Sequence, residues 1–347
     1  MAIFNHSEFD NHEQVVFCSD AETGLKAIIA VHSTALGPAV GGCRLWQYES
    51  DEAAVNDVLR LSRGMTYKNA MAGLPLGGGK SVIIGDAKSI KSEALFRAFG
   101  RMVHRLSGSY YSAEDVNITT GDIMTVNKET PYVAGLEGKS GNPAPFTALG
   151  TYRGIKAAAL HKFGSDNLEG KTVAVQGLGS VGFYLCEHLN KEGARLIVTD
   201  INQDAVQRAV SQFGATAVGL NEIYAVDADI YAPCALGATI NDDTLSQLKV
   251  KIVAGCANNQ LKEARHGEVL REKGILYAPD YVINAGGIIN VASEMRPEGY
   301  SEAESTAKVM AIYDTLLNIF RRADAEDQPT SVIADLMAQE IIRRGKR

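Results

Sequence analysis

The chain has 347 residues, 46% hydrophobic and 22% charged, with a net charge of −7, enough for two globular domains with their own cores. No apolar run approaches the roughly 18 residues that a membrane span needs. The acidic balance disfavours a nucleic-acid partner, because the only basic cluster is Arg343, Arg344, Lys346 and Arg347.

Acidic and polar residues in the first ten positions are unlike a secretory leader, so a cytoplasmic protein is expected. Five cysteines, Cys18, Cys43, Cys186, Cys234 and Cys256, form no CxxC pair. They read as reduced thiols, and no metal site is expected.

Strand-like runs at 26–32 (KAIIAVH) and 81–84 alternate with amphipathic helices in the first part of the chain. Leu95, Phe99, Met102 and Leu106 recur at three- and four-residue steps, which predicts one apolar helix face. Around 138–145 the sequence turns to GKSGNPAP, and a domain boundary is placed there. Beyond it, strand, turn and helix repeat in the manner of a parallel sheet with crossover helices. Strands are predicted at 171–176, 195–199, 229–232, 251–254 and 275–277, and helices at 181–192, 307–322 and 331–344. The expected fold class is α/β with two domains. The first spans 1–138 plus a returning C-terminal helix at about 325–347, and a Rossmann-type doubly wound domain spans 139–324.

Gly177-Leu178-Gly179-Ser180-Val181-Gly182 follows a predicted strand and opens a predicted helix, as a dinucleotide fingerprint requires. The first glycine allows the turn, the second lets the pyrophosphate approach the backbone, and the third lets helix and strand pack closely. Unpaired N–H groups at the helix start then receive the phosphates. Asp200 ends the next strand about 20 residues on, where a carboxylate accepts from ribose hydroxyls, so NAD is the expected cofactor. Asn202 can hold the ribose or serve as an Asx turn residue.

Lys68 and Lys80 lie among small and apolar residues in GMTYKNAMAGLPLGGGKS. A desolvated lysine gives up its proton more readily than an exposed one, and an amino-acid substrate needs a cation for its carboxylate. Either lysine could instead be a snorkelling surface residue. A phosphate-binding P-loop is disfavoured, since Leu74 stands where that motif needs its first glycine. Asp115, in AEDVNITT, can shuttle protons or cap a helix.

Together, GPAVGGCR (37–44), GMTYKNA (64–70), GLPLGGGK (73–80), AEDVN (113–117), GLGSVG (177–182) and APDYVINAGGIINV (278–291) resemble the glutamate, leucine, phenylalanine and valine dehydrogenase family over nearly the whole chain. The branched-chain members are the nearest likeness. That resemblance implies a substrate-binding and oligomerisation domain, a dinucleotide domain and an active-site cleft between them.

The implied activity is reversible NAD-dependent oxidative deamination of a branched-chain L-amino acid to its 2-oxo acid and ammonia. Lys68, with the backbone of Gly41 and Gly42, would bind the substrate carboxylate. Lys80 would activate the attacking water, and Asp115 would exchange protons with the amino group. Asn259 and Asn284 would line the nicotinamide and substrate, and Thr147, Ala257 and Asn258 would join the cofactor site. Val40, Ala113, Ile288 and Val291 would form an apolar pocket.

In glutamate-directed members a lysine matches position 40. Val40 would leave a dicarboxylate substrate unpaired, which disfavours glutamate. Phenylalanine or tryptophan remains an alternative substrate, and a non-catalytic NAD-binding regulator an alternative of another class. The family implies a homo-oligomer, commonly an octamer.

Overall fold

The computed structural model describes residues 3–136, 140–296 and 298–345. The chain divides into two compact units: Met1–Gly141, Val291–Ser301 and Ala338–Arg347 form one, Asn142–Asn290 and Glu302–Met337 the other. The boundary expected at 138 lies outside the described residues. Residues 325–337, expected with the first domain, fall in the second unit, while 291–301 return to the first.

The first unit is built on strands β1 (Gln14–Asp20), β2 (Leu25–Ser33), β3 (Ala39–Trp46), β4 (Gly77–Ile84) and β5 (Tyr110–Glu114), in spatial order β1-β2-β4-β3-β5. β1, β2 and β4 pair antiparallel in succession, whereas β3 runs parallel to both β4 and β5. Helix α1 (Asp51–Met71) lies between β3 and β4, α2 (Ala87–Ile90) and α3 (Glu93–His104) between β4 and β5, and α4 (Thr120–Asn127) follows β5.

Strand alternation sorts side chains onto two faces. Ile28, Ala30 and Val82 pack with Ala54, Val55, Val58 and Leu59 of α1. Ile29, Val31, Cys43, Leu45 and Ile83 pack on the other side with Leu95, Phe96 and Phe99 of α3 and Ile123 of α4. With a helix layer on each face, β2 is buried almost throughout, which explains its unbroken apolar run. α1 starts where the Ser50 hydroxyl accepts from the Ala53 N–H at 3.1 Å, with Asp51 and Glu52 favouring the positive end of the dipole.

Glu294 ties the 291–301 segment to this unit by accepting from the Gly135, Leu136 and Ser140 backbone N–H groups at 3.1–3.4 Å.

The second unit carries a six-stranded parallel sheet: β6 (Thr172–Gln176), β7 (Arg195–Thr199), β8 (Thr216–Ala217), β9 (Ile230–Pro233), β10 (Ile252–Val253) and β11 (Leu276–Tyr277). Their spatial order is β11-β10-β9-β6-β7-β8. The chain therefore runs outward from β6 to one edge, then crosses back and runs from β9 to the other, the winding of dinucleotide-binding domains. The switch point lies between β6 and β9, so ligands are expected at the carboxyl ends of those two strands.

α5 (Ala144–Phe163) precedes this sheet, and α6 (Ser180–Lys191) and α7 (Gln203–Phe213) connect its first strands. Later helices are α8 (Asp242–Leu245), α9 (Arg265–Glu272), α10 (Asp280–Ile283), α11 (Gly286–Ala292), α12 (Glu302–Met310), α13 (Ile312–Glu326) and α14 (Thr330–Gly345). The single helix predicted at 307–322 is thus two, divided at Ala311. Among the described residues no helix is long and apolar enough to cross a membrane.

Candidate active site

Lys80 sits in the middle of β4, the central strand of its sheet, and is only 6% exposed. The three residues before it in β4 are glycines, and neighbouring backbone crowds the first two. A Cβ on Gly78 would lie 2.0 Å from the Thr66 N of α1, and one on Gly77 would lie 2.0 Å from the Ser33 carbonyl. α1 therefore rests directly on β4, an approach that the Asn69 amide reinforces by donating to the Gly77 carbonyl at 2.6 Å. The same contact carries Lys68, half-buried and two residues beyond Thr66, onto the α1 face of the sheet.

A buried ammonium needs an opposite charge, and Asp115 supplies it. Its Oδ2 lies 3.0 Å from Lys80 Nζ and accepts from Arg44 Nε at 3.0 Å. Arg44 donates its other arm to Asp57 on α1 at 2.9 Å, and the Tyr48 hydroxyl donates to the same Asp57 oxygen at 2.7 Å. Burial alone would raise the Asp115 pKa, but Lys80 and then Arg44 outweigh it and hold the carboxyl below the usual range. At neutral pH Asp115 is therefore ionised. The Arg44 guanidinium is correspondingly raised: burial opposes its charge, and Asp115 and Asp57 overcome that.

Gly42 makes room for this pair. A Cβ there would come within 2.4 Å of the Glu114 carbonyl and 2.8 Å of the Asp115 Cβ. Gly41 is equally tight against the Gly79 carbonyl, at 1.8 Å. Val40 is fully buried on β3 opposite Gly78 and Tyr111, and Ala113 is half-buried on β5 opposite Gly42. Val291, half-buried, belongs to this unit as well, whereas Ile288, also half-buried, belongs to the other. The first unit thus brings Lys80, Asp115 and Gly42 together, with Lys68 on the same side of the sheet.

A cavity of about 840 Å³ lined by Arg44, Trp46, Tyr48 and Asp57 touches neither Lys80 nor Asp115, so it is not where those two groups act.

In the second unit the 177–182 loop leaves the carboxyl end of β6. Gly177 has φ +103°, a conformation that side chains resist. A Cβ on Gly182 would sit 2.0 Å from the Gly177 carbonyl, so only glycine lets α6 begin so close to the strand. Gly179 is different: a Cβ there would meet nothing within 4 Å. Local packing gives no reason for that glycine, whereas a pyrophosphate lying on the backbone does. α6 also lacks a side-chain cap, and Ser180 at its start is exposed, with Val181 half-buried beside it. The first N–H groups of α6 thus have no side-chain cap, the geometry of an anion-binding helix start.

Asp200 accepts from the Leu178 N–H at 2.5 Å and the Asn202 N–H at 2.7 Å, so it shapes the loop from the strand end where the sequence expects a ribose contact. Asn202 is the N-cap of α7: its side-chain carbonyl accepts from Asp204 N at 3.0 Å and Ala205 N at 3.3 Å. Of its two expected readings, the turn-and-cap one describes how the side-chain oxygen is used.

Asn284 is 4% exposed, and its amide donates to the Cys256 carbonyl at 3.1 Å and to Asn258 Oδ1 at 2.6 Å. Its own Oδ1 is buried without a hydrogen-bond partner. An orphaned acceptor beside the carboxyl ends of these strands fits a ligand amide such as the nicotinamide carboxamide. Ala257 is buried, Asn258 and Asn259 are exposed, and Asn259 takes φ +51°. Thr147 lies in the first turn of α5, where a Cβ on Gly287 of α11 would approach its hydroxyl to 2.8 Å.

Asp242, Glu263 and His266 converge closely enough to hold a metal ion. Arg265 already occupies both carboxylates, and His266 Nδ1 accepts from the Glu263 N–H at 3.0 Å. That bond places the ring proton on Nε2, the atom facing Asp242, which removes the lone pair a metal would need.

Sequence reasoning missed Arg44, Asp57 and Tyr48. One signal was available: Arg44 ends the GPAVGGCR run on the strand face opposite the apolar Cys43 and Leu45.

Two family models match the chain: "Glu/Leu/Phe/Val dehydrogenase, dimerisation domain" over residues 12–136, and "Glutamate/Leucine/Phenylalanine/Valine dehydrogenase" over 198–338. The leucine dehydrogenase of Bacillus cereus is 58% identical over 99% of this chain and 94% of its own length. A phenylalanine dehydrogenase of Bacillus thermotolerans is 48% identical over 98% of this chain and 91% of its own. Among solved structures, the L-tryptophan dehydrogenase of Nostoc punctiforme superposes with a TM-score of 0.87 at 48% identity, covering 97% of each chain.

Proposed function

The chain is an amino-acid dehydrogenase of the Glu/Leu/Phe/Val dehydrogenase family, and from that premise we propose that it oxidatively deaminates a branched-chain L-amino acid, leucine foremost, with NAD⁺ as hydride acceptor. The observation that carries the reading is Lys80, buried within 3.0 Å of Asp115. A fully buried Val40 stands where a dicarboxylate-directed site would need a cation.

Lys68 and the Gly41–Gly42 backbone bind the substrate α-carboxylate. Asp115, kept ionised, accepts a proton from the α-amino group so that the nitrogen lone pair becomes available. A bound nicotinamide dinucleotide supplies the acceptor for the α-hydrogen. Lys80 activates the water that adds to the iminium carbon, and Asp115 returns a proton to the departing ammonia. Val40, Ala113, Ile288 and Val291 select an aliphatic side chain by excluding charge.

For the dinucleotide, the 177–182 loop and the α6 N-terminus take the pyrophosphate, and Asp200 takes the ribose. Thr147, Ala257, Asn258, Asn259 and Asn284 hold the nicotinamide end. The carboxylate of Asp200 favours NAD over NADP, because a ribose phosphate would bring a second negative charge to it. The working enzyme is read as a cytoplasmic homo-oligomer of eight chains.

The test is absorbance at 340 nm with the purified protein, NAD⁺ or NADP⁺ and a panel of L-amino acids. The reading expects the highest kcat/KM for leucine, with valine and isoleucine next and glutamate negligible. Preference for glutamate, for an aromatic amino acid or for NADP⁺ would overturn it, and so would cofactor binding without any turnover. Light scattering on a sizing column checks the oligomer.

A further inference from the structure

Three of the five cysteines gather at the carboxyl ends of the second unit's strands, beside the 177–182 loop. β9 and β10 pair in parallel with Ile230 opposite Ile252 and Tyr231 opposite Val253, an offset of 22 residues. Past the strand ends the register slips by one residue, which still leaves Cys256 beside Pro233 and Cys234. The backbones stay together there, since Ala257 N donates to the Pro233 carbonyl at 2.9 Å. Cys256 Sγ lies 4.0 Å from the Cys234 carbonyl. Backbones held this close bring Cα atoms within the range that a disulfide spans.

The two thiols are unequal. Cys256 is buried and Cys234 is partly exposed. The Cys256 side chain and, less strongly, its backbone act on Cys234 against burial, so that the Cys234 thiol is held below its ordinary pKa, while Cys256 Sγ donates to the Cys234 carbonyl. Cys256, as the donor and under burial, is pushed up. A partly exposed cysteine with a lowered thiol pKa beside a second thiol is an arrangement that peroxides oxidise selectively. The third, Cys186 on α6, is fully buried and its thiol is raised by burial.

The position ties this pair to the loop. A Cβ on Gly177 would lie 2.9 Å from the Cys234 carbonyl carbon and 2.8 Å from the Ala235 N. On the other side, the Cys256 carbonyl is held by Asn284. Any movement of either cysteine is therefore felt by residues read above as cofactor-binding.

We infer that Cys234 and Cys256 are an oxidisable pair whose substrate is a hydroperoxide, and that closing them into a disulfide weakens dinucleotide binding. The Cys234 thiolate attacks one peroxide oxygen, the O–O bond breaks, and the leaving hydroxide takes a proton to become water. Cys256 then attacks the sulfenic sulfur, the S–S bond forms, and the hydroxyl leaves with the Cys256 proton as a second water. Two thiols lose two electrons and two protons, and one hydrogen peroxide becomes two waters. Only the consequence for binding rests on the proposed cofactor site.

The experiment treats the reduced, full-length protein with hydrogen peroxide, alkylates it under denaturing conditions and maps its peptides by mass spectrometry. NADH binding is followed in parallel by fluorescence. Expected are a Cys234–Cys256 linked peptide, alkylated Cys18 and Cys43, and NADH affinity reduced about tenfold and restored by dithiothreitol. In Cys256→Ser the sulfenic acid on Cys234 should persist long enough for dimedone to trap it. Cys234 and Cys256 both remaining alkylatable after peroxide would overturn the pair. A linked peptide with unchanged NADH affinity would overturn the coupling. Failure of the reduced protein to bind NADH would instead refute the reading of the 177–182 loop, while the peptide map still decides the pair.

Discussion

Replacing Arg44 with methionine tests whether Asp115 is tuned by more than its lysine. Arg44 joins Asp115 at 3.0 Å and Asp57 at 2.9 Å, and the side chains of all three are less than a quarter exposed. Methionine keeps most of the aliphatic volume and removes both charge-assisted hydrogen bonds, each worth about 1.5–3 kcal/mol at such sites. Asp57 keeps the Tyr48 hydroxyl at 2.7 Å and a weaker contact to Arg60 at 3.4 Å. Folding stability should therefore fall by about 2–4 kcal/mol, short of the cost of a wholly unpaired buried charge.

Catalysis should respond through Asp115. With one of its two cations gone the carboxylate is held down less strongly, so its pKa rises. The acid limb of kcat/KM, where Asp115 takes up a proton and stops accepting one, moves to higher pH. If one such bond stabilises the transition state, about 2 kcal/mol is lost, or about thirtyfold in kcat/KM at neutral pH. Arg44→Lys should recover part of the limb's position but not the stability, because a single ammonium cannot bridge both aspartates. The assay is the pH profile of NADH formation at saturating NAD⁺, run beside thermal unfolding. An acid limb that stays in place in Arg44→Met, with kcat/KM within twofold of the parent, would refute the argument even if stability fell.

Lys80→Ala should abolish turnover while leaving NADH fluorescence titration unchanged, and residual activity above a few per cent would remove Lys80 from the chemistry. The glycines of the 177–182 loop should separate by role. Gly179→Ala should leave the melting temperature alone yet weaken NADH binding about tenfold or more, since its space is open only until the pyrophosphate arrives. Gly182→Ala should cost about 1–3 kcal/mol of stability, because the new methyl meets the Gly177 carbonyl; equal melting temperatures for the two variants would contradict this. A pH effect is expected from His32, whose burial, with His12 next, pushes its imidazole down to about 4. The unfolded chain takes up that proton below about pH 6.5 and the folded chain only below about 4, so stability drops as pH falls through that window and levels off beneath it. The loss should be on the order of 2–3 kcal/mol, and thermal unfolding at pH 7 and 4.5 should show a smaller difference in His32→Asn.

Elements governed by their own residues were legible in the sequence. The 195–199 strand is found with the predicted bounds, and the 177–182 loop follows a strand and opens a helix as its glycines require. Elements governed by partners were less so. β4 begins at Gly77 rather than at Ser81, because glycines that weaken an isolated strand are needed where α1 presses on it. The face predicted from Leu95 to Leu106 outlasts its helix, which ends at His104 with Arg105 as cap.

The same distinction explains why Lys80 and Asp115 could be singled out in the sequence and Arg44 could not. A lysine among glycines and apolar residues is conspicuous in a short window, but the Arg44 partners lie 13 and 71 residues away on α1 and after β5. Only the packing of α1 against the sheet makes one guanidinium serve both carboxylates. That packing depends on Gly77 and Gly78, where any side chain would collide with Ser33 or Thr66. The glycine run is thus as much a part of the proposed acid–base site as the charged residues: it sets the distance at which α1, and with it Asp57 and Lys68, meets the strand that carries Lys80.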